Sequence, residues 1–136
     1  MRRRSEQRER ILDHVTRSVS HPTALEIHAA LKRKIPRLSV GNTYRNLKIL
    51  VEEGSLSLHT FADGVERYDA VTAAHYHIRC PSCGRVGDFE MPVQEQVEKE
   101  AQRHTKRKIL SHTIQFTGLC AACAAEASKT TRRKRT

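Results

Sequence analysis

The four cysteines of the chain stand in two identical pairs, Cys80-x-x-Cys83 and Cys120-x-x-Cys123. A two-residue gap turns both sulfurs of a pair toward one point, so two pairs supply four thiolates at tetrahedral angles. Four thiolates leave no open coordination position on a zinc ion, which is typical of a structural zinc rather than a catalytic one. The alternatives are redox-active pairs or simple buried cysteines. The spacing therefore predicts a structural Zn²⁺ site.

A second group of residues has histidine and aspartate side chains. His75 and His77 lie two apart on a predicted strand, so both imidazoles point to the same face and can meet one ion. Asp69 precedes them, Asp88 follows on the next predicted strand, and His21 comes before the second predicted helix. Nitrogen and oxygen ligands without a thiolate suit an exchangeable Fe(II), Mn(II) or Zn(II). Two ordinary surface histidines are the alternative interpretation of the pair.

The elements that must position these residues fall into two groups with different patterns. The first group consists of helices with apolar stripes and a hairpin around Asp63-Gly64, which together predict a winged helix-turn-helix. These helices are predicted within residues 5–19, from a capping box at Thr23 to Pro36, and from Val40 to about Glu53. The second group is a small α/β unit of about 50 residues, a size that needs a staple or a partner chain. Its strands are predicted at 75–80, 85–91 and 108–116, with a helix after Pro92.

The predicted fold class is therefore α+β, with an N-terminal winged helix-turn-helix domain followed by a small α/β domain stapled by the four-cysteine zinc site. The predicted boundaries are 1–69 for the winged-helix domain, 70–74 for a hinge, 75–124 for the α/β domain, and 125–136 for a disordered basic tail.

Charge is distributed unevenly along the 136 residues, whose net charge is +10. Residues 1–50 hold 12 Lys and Arg against 4 Asp and Glu, whereas residues 51–123 hold 8 against 10. A basic first half favours nucleic acid as the partner, with a merely solvated basic surface as the alternative. No apolar run is long enough for a membrane span and no signal peptide is evident, so we expect no membrane partner and a cytoplasmic location.

Several motifs together resemble the ferric uptake regulator (Fur) superfamily of bacterial metal-dependent repressors. They include Gln7-Arg8, His21-Pro22-Thr23-Ala24, Thr43-Tyr44-Arg45-Asn46-Leu47, Arg67-Tyr68-Asp69, His75-Tyr76-His77 and the two cysteine pairs, with Gly118 before the second. The resemblance implies a homodimer of winged helices that binds a palindromic operator in double-stranded DNA. It makes residues 1–69 the winged-helix DNA-binding domain and residues 75–124 the α/β dimerisation and metal-binding domain. It also implies the structural Zn²⁺ and a separate regulatory Fe²⁺ or Mn²⁺ at the hinge.

The regulatory ligands resemble those of the peroxide-sensing (PerR) branch. That branch implies a site formed by His21, Asp69, His75, His77 and Asp88, with His21 or His75 as the imidazole that peroxide oxidises when Fe(II) is bound. A further site of some iron sensors would map onto Glu95 and His112, but its other ligands would fall at Ala74 and Tyr76, so it is not expected here. Arg45 is more typical of iron-sensing members, which keeps open a repressor that responds to the level of iron or another metal.

The third predicted helix is expected to enter the major groove of DNA. Tyr44 offers its ring to thymine methyl groups, Arg45 reaches guanine or phosphate, and Asn42 and Thr43 bond to bases or backbone. Arg8 is expected to contact phosphates. Packing of Tyr44 in the core is the alternative. Two other classes remain open: a zinc-stapled interaction module without DNA binding, and, remotely, a zinc hydrolase. No nucleophile or general base accompanies the ligands, so we expect no enzyme activity.

Overall fold

The computed structural model describes residues 5–134. The chain divides into two compact units, Met1–Ala73 and Ala74–Thr136. The first unit contains the helices α1 (Glu6–Arg17), α2 (Ala24–Lys32) and α3 (Val40–Glu52), followed by the strands β1 (Ser57–Thr60) and β2 (Glu66–Asp69). The second unit contains β3 (Tyr76–Arg79), β4 (Val86–Phe89), α4 (Glu95–Gln102), β5 (Gln115–Thr117) and α5 (Ala121–Lys134).

Each helix of the first unit begins at a hydroxyl side chain. Ser5, Thr23 and Ser39 each accept a hydrogen bond from the backbone N–H three residues later, at 3.1, 3.2 and 3.0 Å. These bonds satisfy amide groups that have no partner inside a helix, which is why serine and threonine start helices well. The capping residues therefore fix where the three helices begin.

The three helices bury one apolar face each around a common core, to which β2 contributes Tyr68. This burial supplies the hydrophobic free energy that a small domain needs. The buried members of the core are Ile11, Val15, Ala24, Ile27, Leu31, Leu38, Leu47, Leu50, Leu56 and Tyr68.

Strands β1 and β2 form an antiparallel hairpin in which Leu58 faces Tyr68. The turn between them needs Gly64, whose φ is +78°, a conformation that residues with a Cβ rarely adopt. Asp63 Oδ1 accepts a hydrogen bond from the N–H of Val65 at 3.0 Å and thereby stabilises the turn. Three helices followed by this hairpin form the predicted winged helix.

The second unit is built on a three-stranded sheet with the order β4-β3-β5. Strand β3 pairs antiparallel with β4 and parallel with β5. Tyr76 and Val86 are fully buried, and the ring of Phe116 lies 4.5 Å from that of Phe89. A mixed sheet with one helix before β5 and one after it agrees with the predicted α/β class.

The strand predicted at 108–116 is wrong in its first part, because only Gln115–Thr117 pairs with β3. The side chain of Gln102 holds the preceding segment instead. Its Nε2 donates to the carbonyl of Arg107 at 2.7 Å, and its Oε1 accepts the N–H of Ile109 at 3.0 Å. With these backbone groups satisfied at the end of α4, the segment needs no strand partner, and Leu110 remains 79 % exposed.

The predicted disordered tail at 125–136 is also wrong over the residues that the structure describes, because α5 continues to Lys134. Five of the seven residues from Ala121 to Ala127 are alanine, the residue with the highest helix propensity. Glu126 and Lys129 add an ion pair at 3.8 Å on the helix surface. The last two residues of the predicted tail lie outside the described part. The helix predicted after Pro92 is found as α4, but it begins three residues later than Pro92, at Glu95.

Across the described residues 5–134, none of the helices combines the length and the apolar character that crossing a membrane requires.

Candidate metal centres and nucleic-acid interface

The four cysteines meet at one edge of the three-stranded sheet. Cys80 directly follows β3, and Cys120 comes three residues after β5. Because β3 and β5 run parallel, their carboxyl ends lie at the same edge. All four sulfur atoms lie within 4.8 Å of one another, and Cys83 Sγ is 4.0 Å from Cys120 Sγ. Four sulfurs at ~2.3 Å from a tetrahedral zinc ion lie about 3.8 Å apart, so the cluster can hold this ion.

A tight turn shapes the first cysteine pair. Gly84 has a φ of +77°, and its N–H donates to the carbonyl of Cys80 at 2.8 Å. The N–H of Cys80 in turn donates to the carbonyl of Arg85 at 2.9 Å. A side chain at position 84 would be strained in this conformation, which explains the Cys-Gly sequence at the turn.

The pKa values of the cysteine thiols are shifted by hydrogen bonds with neighbouring groups of the cluster. Backbone N–H groups of Cys120 and Cys83 stabilise the thiolate of Cys80 and lower its pKa to about 6. For Cys123, the side chain of Ser82 acts to lower the pKa, but the thiols of Cys120 and Cys80 outweigh it and raise the pKa to about 12. Without a metal, the four thiols therefore cannot all ionise near neutral pH, and zinc binding must displace protons.

The first unit brings together two of the predicted regulatory ligands. His21 and Asp69 are each 5 % exposed, and His21 Nε2 lies 3.3 Å from Asp69 Oδ2. Asp69 ends β2, and its other carboxylate oxygen accepts the N–H of Val71 at 2.9 Å. His21 lies in the loop between α1 and α2, two residues before Thr23, which caps α2. One imidazole and one carboxylate thus form a buried half-site, which we call the first half-site.

The second unit brings together the other three. His77 lies opposite Asp88 in the β3–β4 register, and His75 lies on the same face of the chain two residues earlier. Asp88 Oδ1 is 3.1 Å from His75 Nε2 and 3.6 Å from His77 Nε2, and the two imidazole centroids are 4.4 Å apart. We call these three residues the second half-site. Both half-sites contain imidazole nitrogens and carboxylate oxygens, a donor set that fits Fe(II) or Mn(II).

Helix α3 separates the predicted DNA-contacting residues into exposed and buried ones. Tyr44 is 46 % exposed and lies outside the hydrophobic core, Arg45 is exposed, and Asn42 is half-buried. Thr43, in contrast, has no exposed surface, and its Oγ1 donates to the carbonyl of Ser39 at 2.9 Å. Thr43 points into the first unit because it shares the core face of α3, so the prediction that it contacts DNA is wrong for this conformation.

Arg8 lies in α1 but reaches across to α3. Its Nε donates to Asn46 Oδ1 at 3.1 Å, and Asn46 Nδ2 donates to the carbonyl of Asn42 at 2.9 Å. Arg8 is half-buried. These contacts give it a role in orienting α3 that the sequence interpretation missed, since the contact joins residues 38 positions apart.

Comparison with known proteins decides the family. The profile of the ferric uptake regulator family matches residues 2–117. The chain belongs to the ferric uptake regulator family. This confirms the resemblance inferred from the motifs.

Relatives and solved structures within this family are similar along most of their length. The peroxide operon regulator of Bacillus subtilis is 38% identical over 118 residues, which cover 87% of this chain and 81% of the relative. The peroxide-responsive repressor PerR of Staphylococcus epidermidis is 38% identical over 88% of this chain and 80% of its own. The structure of the Helicobacter pylori ferric uptake regulator Fur, described with three functional metal-binding sites, is 28% identical with a TM-score of 0.76. It covers 90% of this chain and 82% of that one.

One further cluster of this Fur-family chain differs from the expectation for iron sensors. His112 Nδ1 lies 3.0 Å from Glu98 Oε1, and its Nε2 is hydrogen-bonded to the hydroxyl of Tyr76 at 2.8 Å. The acidic partner of His112 is therefore Glu98 and not Glu95. The phenol of Tyr76 occupies the remaining nitrogen of the imidazole, and it also accepts the N–H of Gln94 at 2.7 Å. Tyr76, Glu98 and His112 thus form a hydrogen-bonded trio in the second unit.

Proposed function

We propose that this chain is a metal-dependent DNA-binding transcriptional repressor that senses peroxide through a regulatory Fe(II) ion. The observation that carries the proposal is the division of the donor set. The first half-site lies in the unit with the winged helix, and the second lies in the unit with the cysteine cluster. An ion that takes donors from both half-sites ties the two units into one arrangement, and it favours that arrangement by its higher affinity for it.

The five proposed ligands of this ion are His21, Asp69, His75, His77 and Asp88. Fe(II) held by these residues would supply the redox chemistry by which hydrogen peroxide is reduced beside the ligands. In the overall reaction, one oxygen atom of hydrogen peroxide is added to an imidazole carbon of His21 or His75, and the other leaves as water. An oxidised imidazole is a poorer ligand, so the ion leaves and repression ends. Mn(II) supports DNA binding in the same site without this reaction.

The structural Zn²⁺ is proposed to be held by Cys80, Cys83, Cys120 and Cys123. Thiolate ligands hold zinc firmly, and an occupied four-sulfur site has no position for a substrate. The ion would therefore contribute to the folding of the second unit and take no part in sensing.

DNA binding is proposed for the exposed face of α3, with Asn42, Tyr44 and Arg45 toward the major groove and Arg8 near the phosphates. The protein is proposed to act as a homodimer in the cytoplasm, where two-fold symmetry matches a palindromic operator. The described sheet supports a dimer, because β4 and β5 each pair with β3 on one side alone. Such edges are normally covered by another strand or element. The function proposed is regulation, not enzymatic turnover.

Peptide mass spectrometry of Fe(II)-loaded protein after exposure to peroxide tests the proposal, with Mn(II)-loaded protein treated in parallel. We expect a one-oxygen increment on the peptide of His21 or His75 in the Fe(II) sample alone. His104 is an internal control, since its Nε2 also lies beside a carboxylate, 3.2 Å from Glu100 Oε1, but at the surface. It should stay unmodified. Unmodified His21 and His75 in both samples would contradict peroxide sensing and favour a repressor that responds to the metal level.

A further inference from the structure

The backbone at His21 has an unusual conformation. Its φ is +52°, and it is the one residue other than glycine with a positive φ in the described chain. Side chains with a Cβ are strained in this left-handed region, although histidine tolerates it better than most residues. Such strain persists when neighbouring groups hold the residue in place, and it gathers at functional positions. The contacts of His21 therefore show what imposes the conformation.

Strand β2 holds the bend from three consecutive positions. Arg67 Nη1 donates to the carbonyl of His21 at 3.1 Å, and the N–H of Tyr68 donates to the carbonyl of Pro22 at 3.0 Å. Asp69 reaches the imidazole of His21 itself. Because side chains alternate along a strand, Arg67 and Asp69 share one face of β2 while Tyr68 enters the core. Side chains on one face of β2 thus contact both the backbone carbonyl and the imidazole of His21.

The surroundings of Arg67 fit a structural contact better than a contact with DNA. Its side chain is 15 % exposed, and Nη1 lies 3.8 Å from Glu26 Oε1 at the start of α2. Its Nε is buried and has no hydrogen-bond partner among the described residues. Burying a guanidinium while one of its N–H donors has no partner costs free energy of folding. Such a position therefore needs an explanation in what the other donors bind. The carbonyl of His21 is the backbone group that this cation reaches.

We propose that Arg67 is a positioning residue for the regulatory metal. Its hydrogen bond holds His21 in the left-handed conformation and thereby aims the imidazole at Asp69, so that the first half-site is formed before the ion arrives. Arg67 itself binds no metal and contacts no DNA. Preformed ligands bind a metal more tightly because less order must be created on binding. This proposal rests on the proposed function, since it assigns His21 as a ligand.

Titration of the full-length, zinc-loaded protein with Mn(II) in the absence of DNA tests the proposal. We expect Arg67→Met to weaken Mn(II) binding roughly 10- to 100-fold, the usual cost of losing a group that orients a ligand. Arg67→Lys keeps a cationic donor and should give an intermediate affinity. Arg37→Met is the matched control, since it removes an exposed arginine of the same unit to which no role is assigned, and it should bind Mn(II) as the parent does. Zinc content and circular dichroism should be the same in all four proteins.

A spectroscopic measurement separates positioning from general destabilisation. In the zinc-loaded protein without Mn(II), the imidazole resonances of His21 should shift in Arg67→Met and stay unchanged in Arg37→Met. If Arg67→Met loses circular dichroism signal, Arg67→Lys decides, and an affinity below that of the parent supports the proposal.

Parental Mn(II) affinity in a folded Arg67 variant would overturn the positioning role, as would weakened DNA binding with unchanged Mn(II) affinity. Failure of the proposed function looks different. In that case the parent itself would bind no Mn(II), or His21→Ala would bind it as tightly as the parent.

Discussion

Asp88 is the residue on which the second half-site is centred, because one of its oxygens lies near both imidazoles. Its side chain is 47 % exposed, whereas that of His77 is 3 % exposed. An ion at this place would be bound by ligands that differ strongly in their contact with water. The partly exposed carboxylate brings negative charge to two imidazoles that are neutral when they bind a metal.

The substitution Asp88→Asn tests this arrangement at the level of one charge. The amide has the shape of the carboxylate but lacks its charge, so Mn(II) affinity should fall by more than about tenfold, the lower range for loss of an orienting group. Competition against a fluorescent chelator measures the affinity. Glu90→Gln, which neutralises an exposed carboxylate two residues later, should have no effect. Equal affinities of Asp88→Asn and the parent would remove Asp88 from the ligand set.

Arg45 supports a second prediction at this scale. It is exposed on α3 beside Tyr44, where a guanidinium can bond to the edge of guanine. Arg45→Ala should weaken binding to an operator selected with the parent protein by about 1–3 kcal/mol and relax specificity at one base pair. Fluorescence anisotropy with Mn(II) present measures both. Arg17→Ala serves as the control, since Arg17 lies in α1 and pairs with Asp13 at 3.2 Å. A uniform loss on all DNA sequences would instead indicate a phosphate contact.

At the scale of elements, the sequence correctly predicted the helices and strands that are specified by residues close together in the chain. The hydroxyl caps, the apolar stripes and the Asp63-Gly64 turn act within a few residues, and the helices and hairpin of the first unit follow from them. The strand predicted at 108–116 depended on a distant partner. Its residues had the composition of a strand, but the side chain of Gln102 binds the N–H of Ile109 and the carbonyl of the preceding Arg107 instead.

The candidate sites show the same division. The alternation of His75 and His77 and the spacing of the cysteines are local patterns, and the structure brings each set together. The left-handed backbone of His21 is imposed by Arg67, which is 46 residues away along the chain. No sequence pattern near His21 predicts this conformation, because the hydrogen bond from Arg67 exists only after β2 has packed against the loop.

The contact between β3 and α4 carries a prediction of its own. The hydroxyl of Tyr76 accepts the N–H of Gln94, the residue that caps α4 and has no side-chain cap of its own. Tyr76→Phe leaves this N–H and His112 without a hydroxyl partner in a place that is 1 % exposed, and it should destabilise the second unit by about 1–3 kcal/mol. Urea unfolding of zinc-loaded protein measures the change. Tyr44→Phe removes a half-exposed hydroxyl and should leave stability unchanged, so equal effects of both variants would refute the role of this contact.

At the scale of the whole molecule, the two units are stabilised by different means. The first unit has a cluster of ten buried residues. Among the described residues of the second, the buried apolar side chains are Tyr76, Cys80 and Val86. A domain of this size with so small a core needs an additional stabilising element, and the zinc ion proposed for the four cysteines would supply it.

Loss of one zinc ligand should therefore destabilise the second unit and leave the stability of the first unit unchanged. Cys120→Ser should lose zinc and unfold the second unit, while the helices of the first unit remain folded. Zinc analysis and limited proteolysis should detect this as a protected fragment that ends near residue 73. Leu119→Ser places the same residue one position earlier, where the side chain is 47 % exposed, and should keep its zinc. Simultaneous unfolding of both units in Cys120→Ser would contradict independent stabilisation.

The position of the cysteines along the chain also has a consequence for protein synthesis. The winged-helix unit is complete at Ala73, whereas the fourth sulfur of the zinc cluster is added with Cys123, about fifty residues later. At ordinary rates of translation the interval is on the order of seconds. During that time the growing chain contains every residue of the winged-helix unit but not yet all four cysteines of the proposed zinc site. A message cut short between the two cysteine pairs would therefore encode the winged-helix unit with only two of the four proposed zinc ligands.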